Sequence, residues 1–344
     1  MRHLPFVIAS FCVTILCWGL YGPVLHSGQQ GMVVLPEGIE EAGGQLARLR
    51  PFVCVGLAYF AIGVIVPGLL LWFRGEKGEW TLTGILWSLA GGAVGAIGAL
   101  GIIMALYFGG KPVYVMPLVF GGAPVVNSFL TIVWAKKLRE VGPLFLAGLV
   151  MVLLGAVTVL WFKPSPEHAT AASHVSFMDW IWQLVSIATV IVCWGAYGPV
   201  LHKGQAAMDH SRLRPLLCVG LAYFLIAVLV PYALLLSGLY TEYSEFSFRT
   251  TGGILWSLAA GAAGALGALG IIMAFNFGGK PVFVMPLIFG GAPVVNVLFD
   301  AYRHNLLGQL DPFFLAGMIL VVAGAVMVLV FAPRSAPPVK TAKP

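Results

Sequence analysis

The sequence predicts an all-α membrane protein of ten transmembrane helices, arranged as a 5+5 inverted-topology repeat. Three observations predict it. Sixty per cent of the residues are hydrophobic and 9% are charged, whereas a soluble domain carries about a quarter charged residues. Residues 84–127 recur at 253–296 with seven substitutions in forty-four positions. The apolar runs number five in each half of the chain.

A helix needs about 20 apolar residues to cross the hydrocarbon core. Runs of that kind lie at 5–25, 52–73, 81–108, 112–135 and 143–162. They return at 180–201, 216–237, 252–277, 281–302 and 312–332. The third run of each half is long and glycine-rich. At about 28 residues it is too short for two crossings and suits one tilted helix.

Charge distribution sets the orientation. With the N-terminus in the cytoplasm and ten crossings, thirteen Lys and Arg fall on the cytoplasmic side and six on the other. The positive-inside rule therefore places both termini in the cytoplasm. Five crossings per half is an odd number, so the second half enters the membrane upside down relative to the first. Many secondary transporters are built this way. The chain divides into a first five-helix repeat (1–162), a linker (163–179), a second repeat (180–333) and a cytoplasmic tail (334–344) expected to be disordered. The expected location is the cell (inner or plasma) membrane, in multi-pass form. An external loop around 34–44 carries Glu37, Glu40 and Glu41 and has no equal in the second half.

Several classes are set aside on composition. The net charge of +6 lies mostly in loops, which reads as topology and lipid contact, not nucleic-acid binding. Cys12, Cys17, Cys54, Cys193 and Cys218 all lie in apolar runs without a CxxC, as small buried residues do. The N-terminal run continues through CWGLYGPVLH without a small-residue cleavage site, and its copy CWGAYGPVLH sits at 193–202. A signal peptide is thereby disfavoured. No HExxH, HxxxH or acidic pair lies in the spans, so the chain is not read as an enzyme. No cofactor or metal site is expected.

Two motifs occur once per half, WGxYGPVLHxGQ and GGKPVxVMPLxFGGAPVVN. With ten short-looped helices in two inverted sets of five, the chain resembles the drug/metabolite transporter superfamily over nearly its whole length. Its EamA-like and glucose/rhamnose permease-like branches look nearest. The resemblance implies transport by alternating access. It also implies a central cavity lined by the first, third and fourth helices of each half, with the fifth helices peripheral.

Candidate site residues follow from the doubled motifs. Gly92, Gly95, Gly98 and Gly101, matched by Gly261, Gly264, Gly267 and Gly270, keep one helix side nearly free of side chains. That serves close packing, a sliding surface or a cavity wall. Gly121, Gly122 and Pro124, with Gly290, Gly291 and Pro293, are expected helix breaks or hinges near mid-membrane, because proline frees the carbonyl four residues earlier. Asn127 and Asn296 follow within a turn and either bond a neighbouring helix or read a polar substrate group.

Trp18 and Tyr21, with Trp194 and Tyr197, share a helix face before a Gly-Pro pair. They read as interface anchors or as a gate and stacking surface. His26 and His202 are interfacial or, since imidazole titrates near neutral pH, fit proton coupling. Lys111 and Lys280 in FGGKP cap the third helices or contact an anion. Asp300 is the one carboxylate near a span end and has no acidic counterpart in the first half. Two of the seven substitutions change chemistry, Tyr107 to Asn276 and Tyr114 to Phe283. A substrate without two-fold symmetry needs an asymmetric site, so Asn276, Tyr107 and Tyr114 are expected to orient it.

The spans are read as lacking buried charges, which argues against a strongly charged substrate, and aromatics with amides suit a polyhydroxyl or amino compound. The expected function is a secondary transporter of a small neutral or zwitterionic polar metabolite, most simply sugar-like. The alternatives are export of amino acids, nucleosides or amphipathic drugs, and a non-transporting scramblase or structural membrane protein. The expected partners are a small-molecule substrate and the lipid bilayer, in a monomer or homodimer.

Overall fold

A computed structural model describes residues 4–32, 47–134, 136–162, 176–237, 251–277, 281–305 and 307–333. Among them there is helix and no strand. The long helices are α1 (Leu4–Gln30), α2 (Leu49–Arg74), α3 (Leu82–Tyr107), α4 (Pro112–Trp134) and α5 (Pro143–Trp161). They continue as α6 (Phe177–Ala207), α7 (Leu213–Tyr223, Phe224–Leu229 and Val230–Leu236 end to end), α8 (Thr251–Asn276), α9 (Pro281–Arg303) and α10 (Pro312–Phe331). Among the described residues, nine of these helices are long and apolar enough to cross a membrane; α9 is not among the nine. The third run of the first half is a single helix, α3, as expected from its length.

Local chemistry sets the ends. A bilayer offers no water to an open backbone, so each run closes its own hydrogen bonds as a helix. Pro112, Pro143, Pro281 and Pro312 start helices, where a missing N–H costs nothing. Thr81 caps α3 through a bond from Gly84 N, and Asp311 caps α10 through Phe313 N. Ser176 and Asp179 form a capping box at the start of α6. Gly109, at φ 88°, ends α3 in a conformation that glycine adopts without strain.

The bends lie elsewhere than expected. Helix α1 runs on through Gly22-Pro23 to Gln30, and α4 and α9 continue through Gly121-Gly122-Ala123-Pro124 and Gly290-Gly291-Ala292-Pro293. These are not breaks. Gly121 admits Val321, Gly122 meets Ile191 and Gly291 meets Ile15. Widened π-helical turns instead occupy Ala61–Ile65 in α2 and Phe224–Leu229 in α7. Each stands just before a proline, Pro67 or Pro231, whose ring and missing N–H the wider turn accommodates.

Packing does not follow the two sequence halves. Helix α1 packs against α8 and α9, and α2 against α8. Helix α6 packs against α3 and α4, and α7 against α3. Each group therefore takes helices from both halves. The groups meet where α4 touches α9 and where α2 and α7 cross at their π turns. The glycine rows of α3 and α8 make the groups tight. Gly92 faces Val219 and Ala222, and Gly261 faces Val55 and Ala58. Gly98 and Gly267 sit under the indoles of Trp194 and Trp18. Of these rows only Gly95 and Gly264 reach open space.

Helices α5 and α10 pack on each other through Gly148 against Gly324 and Gly155 against Gly317. Their other sides expose Leu146, Val150, Leu153, Leu154, Val157 and Ile319, a surface suited to lipid tails. The expected linker, the tail and the loop around 34–44 lie largely outside the described residues.

Candidate functional site

A cavity of about 890 Å³ lies between the two helix groups, within the usual range for small-molecule pockets. Its inner end is aromatic. Trp18 of α1 and Trp194 of α6 each donate their indole N–H to a carbonyl of the facing glycine helix, Gly264 O and Gly95 O, at 3.3 Å. Phe120 of α4 stands between them, with ring centroids 6.5 Å from Trp18, 6.4 Å from Trp194 and 6.2 Å from Phe289 of α9. Tyr59 of α2 and Tyr223 of α7 stack face to face, 3.7 Å apart and 2° from parallel. Tyr21 meets Trp194 edge-on at 5.9 Å.

Toward the mouth the lining turns polar. Helix α4 contributes Asn127, Ser128 and Thr131, and α6 contributes Tyr197, His202 and Gln205. His210 and Arg212 of the α6–α7 turn, Leu329 in the last turn of α10, and Ala332 and Pro333 after it complete it. No carboxylate lines the cavity among the described residues. Glu76, from the α2–α3 loop, stands behind Arg212, its Oε1 accepting Arg212 Nε at 3.0 Å. Burial pushes the pKa of this carboxyl up, but hydrogen bonds from Ser211, the Leu213 and Arg212 amides and the Arg212 side chain outweigh it. The Glu76 pKa is held below its ordinary value.

The cavity opens at one end only. Residues equivalent by the repeated motif differ in exposure. Pro199, Leu201 and His202 border open space, whereas Pro23 and Leu25 are buried. Asn127 lines the cavity; Asn296 is 0% exposed and donates Nδ2 to Gly19 O at 3.2 Å. Gln205 lines the mouth, while Gln29 is buried and ties Ala47 O and Ile103 O together at 3.1 Å each. The end formed by the C-termini of α1 and α9 and the start of α4 is thus shut.

The expected site residues divide accordingly. Trp18, Tyr21, Trp194, Tyr197, Asn127 and His202 meet at the cavity. Asn296 and His26 belong to the shut end. Tyr107 and Tyr114 do not line the cavity: Tyr107 lies under the Arg48 guanidinium at 4.1 Å, and Tyr114 donates to Gly109 O and accepts from Gln183. Their position at the α3–α4 turn makes them packing groups there. Lys111 begins that same turn. Asn276 closes α8, and its side chain lies outside the described residues, as does Lys280. Tyr59, Tyr223, Phe120, Phe289, Ser128, Thr131, Gln205, His210 and Arg212 line the cavity without having been singled out in the sequence. A signal for the tyrosine pair was present: CVGLAYF occurs at 54–60 and again at 218–224.

No family model and no curated protein matches this chain. A solved structure described only as "Crystal structure of protein" is similar at 17% identity and a TM-score of 0.55, over 96% of this chain and 99% of that one. That likeness extends the fold, and the fold alone, over nearly the whole length of both chains.

Proposed function

We propose that this chain is a secondary transporter that works by alternating access on a small neutral or zwitterionic polar solute, most simply a sugar-like one. The observation that carries the reading is the unequal exposure of equivalent residues. At one end of a pseudo-symmetric path Pro199, Leu201, His202 and Gln205 border the cavity, and at the other the matching residues Pro23, Leu25 and Gln29 are buried and His26 is half-buried. In this reading α9 is the tenth crossing, the two halves form a 5+5 inverted repeat, and the open end faces the cytoplasm. The resemblance to the drug/metabolite transporter superfamily points the same way. The bodies that rock are the two mixed helix groups, not the sequence halves.

Aromatic faces beside Asn127, Ser128, Thr131 and Gln205 suit a compact ring bearing hydroxyl or amine groups. Eight aromatic side chains line the cavity, which also supports a second reading, an amphipathic aromatic solute such as a nucleoside. A thermal-shift panel of sugars, amino acids, nucleosides and amphipathic drugs on the purified protein separates these readings. Saturable stabilisation by sugars alone is the expected result. No stabilisation by any class, with no solute flux in liposomes, would count against a transporter.

The two asparagines supply a sharper check. Asn127→Ala is expected to weaken binding of the stabilising solute about five- to tenfold, the loss of one polar contact of about 1–1.5 kcal/mol, with little change in melting temperature. Asn296→Ala is expected to do the reverse, because its bond to Gly19 O is internal. Isothermal titration and melting curves on both variants decide the matter. Equal effects on both quantities would sink the assignment.

A further inference from the structure

Asp300 is 2% exposed in the last turn of α9, at the shut end. Helix α9 packs there against α4, whose first turn at Val113 faces the carboxylate. That contact joins one helix group to the other at the shut end. The α4 N-terminus carries a partial positive charge from its aligned peptide dipoles, which favours an ionised partner. His304 Nε2 stands 3.6 Å from Asp300 Oδ1. Lys111 and Arg303 lie near the carboxylate, and His26 of α1 faces the same Lys111, Arg303 and His304. Helices α8 and α10 bring no ionisable side chain, and Asp311 before α10 is engaged with Phe313 N. Asp300 is therefore the negative group of a cluster otherwise made of bases. In the first half the repeat places Thr131 at this position, and Thr131 lines the open mouth. The two ends of the path are chemically unequal at this point.

We propose that Asp300 is a proton-binding site that holds the α1–α9 end shut while ionised and releases it on protonation. The proposal rests on the alternating-access reading. A proton from solvent adds to the Asp300 carboxylate and returns to solvent when the end closes. Protonation removes the charge that the α4 terminus and the neighbouring cations attract. A buried Oδ1 with no hydrogen-bond partner leaves room for gain when water enters the opened end.

The test places spin labels at Phe177→Cys and Tyr302→Cys in a full-length protein whose five native cysteines are replaced. Both positions are at the shut end, on opposite helix groups, and are 74% and 72% exposed. Interspin distances are measured in liposomes between pH 8 and pH 5. The expected result is a short distance at pH 8 and a majority long population at pH 5. Asp300→Asn should be long at both pH values, and Asp300→Glu should keep the pH response. Distances in the unsubstituted protein that ignore pH would overturn the proposal. So would Asp300→Asn responding like the unsubstituted protein, or a response lost on His26→Gln with His304→Gln but kept in Asp300→Asn. Two distance populations that pH does not move would leave the rocking motion standing without the proton site. A single distance under every condition would remove both.

Discussion

Gly98→Ala and Gly267→Ala are each expected to destabilise the protein by about 2–4 kcal/mol. The added methyl would land on the indole of Trp194 or Trp18. Overpacking of this kind costs about 1–3 kcal/mol. The displaced ring also loses its N–H bond to Gly95 O or Gly264 O, a further ~1 kcal/mol. The effect reaches the cavity, because both indoles line it. Gly68→Ala is the control. A methyl there meets nothing within 4 Å, and removing a glycine from a helix interior stabilises by about 0.5–1 kcal/mol. Thermal unfolding in detergent, followed by tryptophan fluorescence, tests all three. Equal melting temperatures for Gly98→Ala and Gly68→Ala would contradict the packing described.

The same glycines show what a sequence can and cannot disclose about this molecule. Their spacing of three residues was visible, and so was a smooth helix face. What fills that face was not, because Trp18 and Trp194 come from helices far away in the chain. Apolar run length is a local property, and it located each helix to within a few residues at most ends. Helix continuity at proline is not local. Pro124 and Pro293 were expected to break their helices, yet a neighbouring glycine pair lets Val321, Ile191 and Ile15 pack in and the helix passes through. The widened turns formed instead before Pro67 and Pro231, where α2 and α7 meet.

Comparing the two copies identified variable letters as candidate ligand contacts. That logic selected Tyr107 and Tyr114, which pack at the α3–α4 turn. The asymmetry of the site has another origin. Identical residues such as Asn127 and Asn296 occupy unlike surroundings because the cavity reaches the first and the second is buried against Gly19 O. A sequence holds one symmetric description of both ends, and only a conformation makes them differ.

The open end is framed by a contact that no motif announced. Glu76 accepts from Ser211 Oγ at 2.6 Å, from the Arg212 amide at 3.0 Å and from the Leu213 amide at 3.0 Å. It thereby caps the start of α7 from the α2–α3 loop and fixes the turn that carries His210 and Arg212 to the mouth. Arg214 adds bonds to the Glu76 and Lys77 carbonyls at 3.3 Å. The Glu76 side chain is 9% exposed while that of Arg212 is 43% exposed. The exposed ion pair therefore contributes little, and the amide bonds carry the effect.

Glu76→Ala is expected to cost about 2–4 kcal/mol, since it strands several buried donors at once. The dependence on pH has a definite sign. The folded carboxyl titrates below its ordinary value of 4.5, so the folded state prefers the ionised form. Its contribution is complete above that ordinary value, declines as pH falls below it, and vanishes once pH passes the folded value. Melting curves of the unsubstituted protein and Glu76→Gln should differ most at pH 7 and converge as the pH falls below 4.5. Parallel curves over that range would mean that Glu76 does not hold the α6–α7 turn in its charged form.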